Sequence, residues 1–266
     1  MPNVENQQSD LLVSSLQKGV LTISINRPER KNAMNNAMWR EMTTLFERAS
    51  MDTSIRAVIL KGAGDDFCAG ADIAEFETLR ATAESARVYE AGNSATFAAI
   101  RNCQVPTIAA IRGICFGGGF GMAAACDLRI SSSNALFSIP AARLGLAYPA
   151  DAMSDIVNAV GPQLAKYLAF SAARLDPAAA LDAGFILEIV EPGGLDMRAA
   201  ELATVIAANA PLSVKASKAS IRAVLSKDAN DYARASELGD STFESSDYGE
   251  GRAAFLVKRP PQFSGA

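Results

Sequence analysis

The sequence predicts an α/β fold. Short apolar runs closed by Gly or Arg-Pro alternate with longer stretches whose apolar residues recur at helical spacing, and the last third is helical in composition without a strand signal. With 266 residues, 49% hydrophobic and 20% charged, the chain can bury one large core and carry an appendage. It is neither a disulfide miniprotein nor a disordered tail.

In chain order, Val20 to Ile25 (VLTISI) alternates as a half-buried strand does and is closed by Arg27-Pro28. A helix is expected from Asn32, where Met34, Met38, Met42, Leu45, Phe46 and Ala49 recur at helical spacing with Arg40, Glu41, Glu47 and Arg48 between them. Ala57 to Gly62 (AVILKG) is too brief for a helix and reads as a buried strand, followed by a loop at Gly64-Asp65-Asp66. Further strands are expected at Thr107 to Arg112, Asp127 to Ser131, Phe137 to Ile139 and Phe185 to Val190, with helices at 82–101, 119–126, 152–170 and 177–183. After Glu191-Pro192-Gly193-Gly194, the stretch Asp196 to Val257 reads as helices punctuated at Asn209-Ala210-Pro211 and Ser226 to Asn230. Such a layer cannot bury its apolar faces alone, so it should pack on the core or on another subunit.

The chain has no histidine. That excludes every Ser-His or Cys-His nucleophile, every His base and the commonest ligand of catalytic zinc, leaving carboxylates, Tyr, Lys, Cys or water for proton transfer. With 25 Lys+Arg against 29 Asp+Glu the net charge is -4, so nucleic acid is not expected as a partner. The opening MPNVENQQSD is polar, and no apolar run approaches the ~18 residues of a membrane helix. A soluble, unprocessed, cytoplasmic protein is expected. Cys68, Cys103, Cys115 and Cys126 show no CxxC spacing and should be reduced core residues, with no metal site.

Two glycine-centred segments carry the chemistry. One is Asp66-Phe67-Cys68-Ala69-Gly70-Ala71-Asp72-Ile73, where strand and loop give way to a helix; the other is Gly113-Ile114-Cys115-Phe116-Gly117-Gly118-Gly119-Phe120-Gly121, before an Ala-rich helix. Glycines let a ligand approach the backbone, and the helix start offers free N–H groups and a positive dipole end to a phosphate or oxyanion. The segment does not complete a dinucleotide fingerprint. Tight strand-to-helix packing is the alternative reading.

Together and in this order, the segments resemble the crotonase superfamily, the enoyl-CoA hydratase/isomerase family. Asn26-Arg27-Pro28 with Asn32-Ala33 looks like its opening motif, Ala69 to Ile73 like its first oxyanion loop and Gly117-Gly118-Gly119 like its second. Ala125-Cys126-Asp127-Leu128-Arg129, Ala183-Gly184 and Phe255-Leu256-Val257-Lys258-Arg259 continue the match. The resemblance implies a spiral of ββα units over 1–195 holding an acyl-CoA pocket, and a helical oligomerisation region over 196–266 forming a homotrimer or a dimer of trimers. It also implies fatty-acid metabolism and no permanently bound cofactor, with coenzyme A entering as part of the thioester. The N–H groups of Ala71 and Gly118 would hold the thioester oxygen as it becomes an enolate, a use of preorganised donors worth roughly 10²–10³ in kcat per donor. By the same resemblance Arg30, Lys31, Ala33, Ala69, Asp72 and Ile73 meet CoA, joined by Phe255 and Lys258 from a neighbouring subunit. A solvated charge run is the alternative for Arg30 and Lys31.

The sequence departs from the family where hydration needs two glutamates. Hydratases carry one two residues after the third Gly and one after the proline of F-x-x-P; here these positions are Gly121 and Ala141. Neither can hold water or exchange a proton with Cα. Leu144-Gly145-Leu146-Ala147-Tyr148 resembles the methylmalonyl-CoA decarboxylase branch, in which Tyr148 would face substrate, although that branch has histidine at Ala71 and glutamate at Gly121. Asp151 is the nearest acid and could serve as a base, or simply cap the next helix. Asp72 reads as a cap, and Asp127 as structural with Arg129 as partner. Hydratase/isomerase-type chemistry, decarboxylation through Tyr148 and a non-catalytic acyl-CoA-binding homologue are the three expectations.

Overall fold

The structure is a computed structural model that describes residues 10–266. The polar stretch 1–9, expected to hold no targeting signal, lies outside the described residues.

The first element among the described residues is a strand the sequence hid. β1 (Leu12–Gln17) runs antiparallel to β2 (Val20–Ile25) across Lys18-Gly19, both at positive φ. Only Leu12 of β1 is buried, so this edge strand carries no burial alternation to read. α1 (Asn36–Met51) begins at Asn36 rather than Asn32, because Lys31 and Asn32 are left-handed (φ 51° and 56°) and Asn35 caps the helix, accepting from Met38 N at 2.9 Å. β3 (Ala57–Gly62) follows, parallel to β2 and buried on both faces.

After a 3-10 turn at Ile73–Glu75 come α2 (Phe76–Leu79) and α3 (Ala83–Asn102), the latter opened by a Thr82–Ser85 capping box. β4 (Thr107–Ile111) and β5 (Ile114–Phe116) lead into α4 (Gly118–Ala125). β6 (Leu128–Ser132) and β7 (Leu136–Ser138) lead into α5 (Ala150–Ser171). α5 is two helical pieces rather than one, broken at Gly161 (φ 75°) before Pro162. β8 (Arg174–Leu175), α6 (Pro177–Asp182) and β9 (Ile189–Val190) complete the core. The strand expected from Phe185 shrinks to β9. Phe185 instead closes the end of α6, its N–H on Ala180 O at 2.9 Å and its ring stacked on Phe120 at 4.5 Å. The C-terminal part is α7 (Leu195–Ala207), α8 (Pro211–Ser226), α9 (Ala229–Phe243) and α10 (Ser246–Leu256).

A large sheet of order β1-β2-β3-β4-β6-β9 is parallel except at β1, and a small sheet is ordered β5-β7-β8. Cys68 bridges Cys115 of β5 and so extends the small sheet. The chain therefore passes three times from the large sheet to the small one and then into helix: β3, Cys68, α2–α3; β4, β5, α4; β6, β7, α5. This is the ββα spiral. One face of the large sheet packs Leu21, Ile23, Val58 and Leu60 against Met38, Phe46 and Phe120. The other face is covered by α7, whose Leu195, Ala199, Ala203 and Ala207 form a four-residue-spaced stripe over Ala57, Ile59, Ile108 and Ile130.

Asp127 precedes β6 and does not pair with Arg129. Its carboxylate accepts from Thr107 N at 2.8 Å, Thr107 Oγ1 at 2.9 Å and Lys218 Nζ at 2.6 Å, while Arg129 donates to the Phe185 and Cys126 carbonyls. The physical reason is orphaned carbonyls at the end of α4, which draw the guanidinium away. The four cysteines are free and buried. Among the described residues, no helix is long and apolar enough to cross a membrane.

Candidate active site

The two glycine loops meet beside the start of α4. Gly70 has φ +100°, and a Cβ there would lie 3.0 Å from Phe116 O and 3.1 Å from Gly118 N; Gly117 has φ +54°. Only glycine permits both the conformation and the approach. Their neighbours' amides are spoken for. Gly70 N meets Cys68 Sγ at 3.3 Å, Asp72 N donates to Met34 O at 2.8 Å and Gly117 N to Ser138 O at 3.0 Å. The N–H groups of Ala71 and Gly118 have no hydrogen-bond partner among the described residues. Two free donors on touching loops, one of them in the first turn of a helix, are able to meet a developing negative charge.

The opening motif holds the first loop in place. Ala69 N donates to Lys31 O at 2.9 Å and Met34 N to Gly70 O at 2.8 Å. Asn32, fully buried, donates to Ala63 O and Asp66 O at 2.8 and 2.6 Å and accepts from Arg27 N at 2.9 Å. Arg27 Nη1 donates to Ala33 O at 3.1 Å and pairs with Asp72 Oδ2 at 2.7 Å. The sequence showed Arg27 as punctuation before Pro28 and as part of the opening motif; its contact with Asp72, 45 residues away, could not be read there. Asp72 also caps the 3-10 turn through Ala74 N at 3.0 Å, as expected. Burial opposes ionisation of Asp72, but the Arg27 hydrogen bond, the Ala74 N–H and the Arg27 and Arg30 charges outweigh it and hold the carboxyl below its ordinary value.

Beyond the loops the wall is aromatic. Trp39 Cη2 lies 2.8 Å from where a Cβ on Gly118 would stand, and Phe97 Cζ lies 2.7 Å from that position on Gly121. The two rings pack edge to face at 5.9 Å. Ala141 is half-buried against the same core. Tyr148 brings its hydroxyl to 3.8 Å from the Cβ position of Gly117, buried and without a hydrogen-bond partner. Burial first, then the negative charge of Glu90, push this phenol well above its ordinary value, so it is a neutral donor. Burial likewise raises the Cys68 thiol to about 12 and Cys115 well above its ordinary value, so neither is a thiolate nucleophile.

Asp151 does not cap α5. Pro149 occupies that position and Asp151 stands exposed in the first turn, because the helix begins two residues earlier than expected, at Ala150. Arg30, Lys31 and Ile73 are exposed, and Ala33, Ala69 and Asp72 half-buried, around the first loop. Phe255, 84% exposed, and Lys258 sit at the end of α10, which packs on α9. Trp39 and Phe97, which stand against Gly118 and Gly121, could not be singled out from sequence, since each reads there as an ordinary core position of its helix.

A ββα spiral in which two glycine loops converge is the crotonase fold, and the solved structures agree. The chain superposes on an enoyl-CoA hydratase/carnithine racemase from Magnetospirillum magneticum with TM-score 0.91, 34% identity and 97% of each chain covered. An enoyl-CoA hydratase from Bacillus anthracis matches with TM-score 0.90 and 28% identity, over 97% of this chain and all of that one. The family model described as enoyl-CoA hydratase/isomerase matches residues 15–266. The chain belongs to the enoyl-CoA hydratase/isomerase family and is an acyl-CoA enzyme of that family. Among its relatives are the short-chain-enoyl-CoA hydratase of Clostridium acetobutylicum, 36% identical over 90% of this chain and 92% of that protein, and the mouse mitochondrial Delta(3,5)-Delta(2,4)-dienoyl-CoA isomerase, 34% identical over 84% and 71%.

Proposed function

We propose that this protein binds an acyl-CoA thioester with its carbonyl oxygen between the N–H groups of Ala71 and Gly118 and stabilises the enolate formed there. The observation that carries this is the pair of unpartnered amides on touching glycine loops. Arg30 and Lys31 neutralise CoA phosphates, Ala33, Ala69, Asp72 and Ile73 line the pantetheine path, and Phe255 with Lys258 come from a neighbouring copy. No resident cofactor is needed for this step. The unit of function is a homotrimer or dimer of trimers in the cytoplasm. Exposed Ile221, Val224, Leu225, Phe243 and Leu256 on α8 to α10 support assembly, and four free thiols suit a reducing compartment. In this reading residues 1–195 hold the pocket and 196–266 the oligomer contacts, with α7 also covering the sheet.

With Gly121 and Ala141 in place of glutamates, the usual hydration and isomerisation need another base, for which Asp151 is the candidate. Decarboxylation of a 2-carboxyacyl-CoA is the second reading. It makes the enolate by loss of CO2, and the unpartnered Tyr148 hydroxyl beside Gly117 favours it, as a donor to the departing carboxylate or the enolate.

The test is incubation in deuterated water with enoyl-, 3-hydroxyacyl- and 2-carboxyacyl-CoA, followed by mass spectrometry. Deuterium at Cα is expected. Gain of water supports the hydratase reading, and loss of CO2 the decarboxylase one. Tight CoA-thioester binding with no exchange and no product would establish a non-catalytic acyl-CoA-binding homologue.

A further inference from the structure

Buried side-chain polar atoms without partners are concentrated in one region. Among the described residues they are Trp39 Nε1, Arg80 Nε and Nη1, Asn93 Oδ1 and Tyr148 Oη, apart from Glu188, whose carboxylate lies 2.8 Å from Arg198 Nε. Protein interiors satisfy nearly all such groups, so orphans gathered along one wall must be met by water or by a ligand's own polar atoms.

The wall is continuous with the glycine loops. Glu90, Asn93 and Phe97 are spaced three and four apart and so share one face of α3. Phe97 touches Gly121, and Asn93 and Glu90 follow at ~6 and ~10 Å along the helix axis. Arg80, its side chain 7% exposed, lies between rings, 4.0 Å from the Phe76 centroid and 4.3 Å from that of Tyr89. Its Nη2 pairs with Glu90 Oε1 at 2.7 Å, which leaves Nε and Nη1 free to donate. Asn93 Nδ2 reaches Glu90 Oε2 at 3.5 Å, which leaves Asn93 Oδ1 free to accept.

We propose that Arg80 and Asn93 recognise a neutral hydroxyl on the acyl chain, remote from the thioester, with Arg80 donating to the oxygen and Asn93 Oδ1 accepting a hydrogen bond from its O–H. This rests on the reading that Ala71 and Gly118 hold the thioester. The charges select the ligand: Glu90, half-buried, already balances Arg80, so a chain ending in carboxylate would set a second anion beside Glu90 with no unpaired cation to meet it. A plain hydrocarbon chain would leave both donor and acceptor desolvated and unpaired. A hydroxyl is the small group that satisfies both.

The test uses short- to medium-chain acyl-CoA thioesters in matched sets bearing a terminal hydroxyl, methyl or carboxylate. Binding is read from quenching of Trp39, the only tryptophan in the chain and in contact with Gly118, and enolate formation from α-proton exchange. At one chain length the hydroxylated thioester should bind on the order of 10–10²-fold more tightly than its methyl counterpart, and the carboxylate should bind weakest. Asn93→Leu, which keeps the volume and leaves the Arg80–Glu90 pair intact, should bring the hydroxyl-to-methyl ratio near one. Equal affinities across all lengths in the unmodified protein, tightest binding of the carboxylate, or a preference that survives Asn93→Leu would each overturn the proposal. A hydroxyl preference without α-proton exchange would sink the enolate reading while leaving this recognition intact.

Discussion

Phe97 of α3 places its ring tip 2.7 Å from where a Cβ on Gly121 of α4 would stand. The ring is braced edge to face by Trp39 at 5.9 Å. The space into which a glutamate at 121 would grow is therefore already filled by an aromatic side chain locked by a second one, so the missing glutamate is a matter of packing as well as of codon.

Restoring that glutamate alone should fail. Gly121→Glu is expected to destabilise by about 1–3 kcal/mol through overpacking, read as a fall in the denaturant midpoint. Gly121→Glu combined with Phe97→Ala should recover part of that loss, since the two side chains compete for one volume. Additive losses in the double variant would contradict the shared-space relationship.

The Gly118 donor can be separated from the space around it. Gly118→Ala and Gly118→Pro both press on Trp39 Cη2, but only the proline removes the N–H. Turnover should therefore be roughly 10²–10³-fold lower in Gly118→Pro than in Gly118→Ala. Equal activities would remove this amide from the mechanism.

Tyr148→Phe should stabilise the fold and harm catalysis. The hydroxyl is buried without a partner, so deleting it relieves a desolvation penalty of about 1–3 kcal/mol and should raise the melting temperature. If the hydroxyl donates to the departing carboxylate or enolate, turnover should fall about 10²-fold. Asp151→Asn tells the rival chemistry apart: a base-dependent isomerisation collapses with it, whereas a decarboxylation barely changes.

Arg27 and Asp72 should give an acid-sensitive clamp. Because the folded Asp72 carboxyl lies below its ordinary value of 3.8, its stabilisation is complete above that value and lost as pH falls through the lower folded one. Arg27→Leu should flatten the low-pH limb of the stability curve. It should also weaken CoA-thioester binding, by freeing the loop that carries Ala71. An unchanged limb would mean that the pair adds nothing to stability.

Asp155 should act in the opposite sense. Burial raises its carboxyl from 3.8 to about 6, against the pull of Arg101, which it meets at 2.5 Å. Its contribution is thus full below 3.8 and lost as pH rises through about 6. The stability difference between the unmodified protein and Asp155→Asn should decline across that window and stay level above it. A difference independent of pH would overturn the assignment.

Sequence and structure divide this protein along a physical line. Local pattern determined what depends on neighbours in the chain: the alternation of β2, the doubly buried β3, the helical stripe of α1, and the glycines at Gly70 and Gly117, where the backbone turns left-handed and meets another loop. It also determined the chemistry that the absent histidines exclude, and the ordered glycine motifs carried the family. Only tertiary structure decided that β1 pairs at the edge, that Gly161 breaks α5 and that Pro149, not Asp151, stands at the head of that helix. It alone decided which amides remain free, because the donors beside Ala71 and Gly118 are consumed by Met34, Ser138 and Cys68, residues remote in sequence or hidden in a turn. The same holds for Arg27 on Asp72, Phe97 on Gly121 and the unpaired atoms of Arg80 and Asn93. Hydrogen-bond satisfaction and excluded volume are properties of the packed chain, and no periodicity in one segment encodes what another segment will bring to meet it.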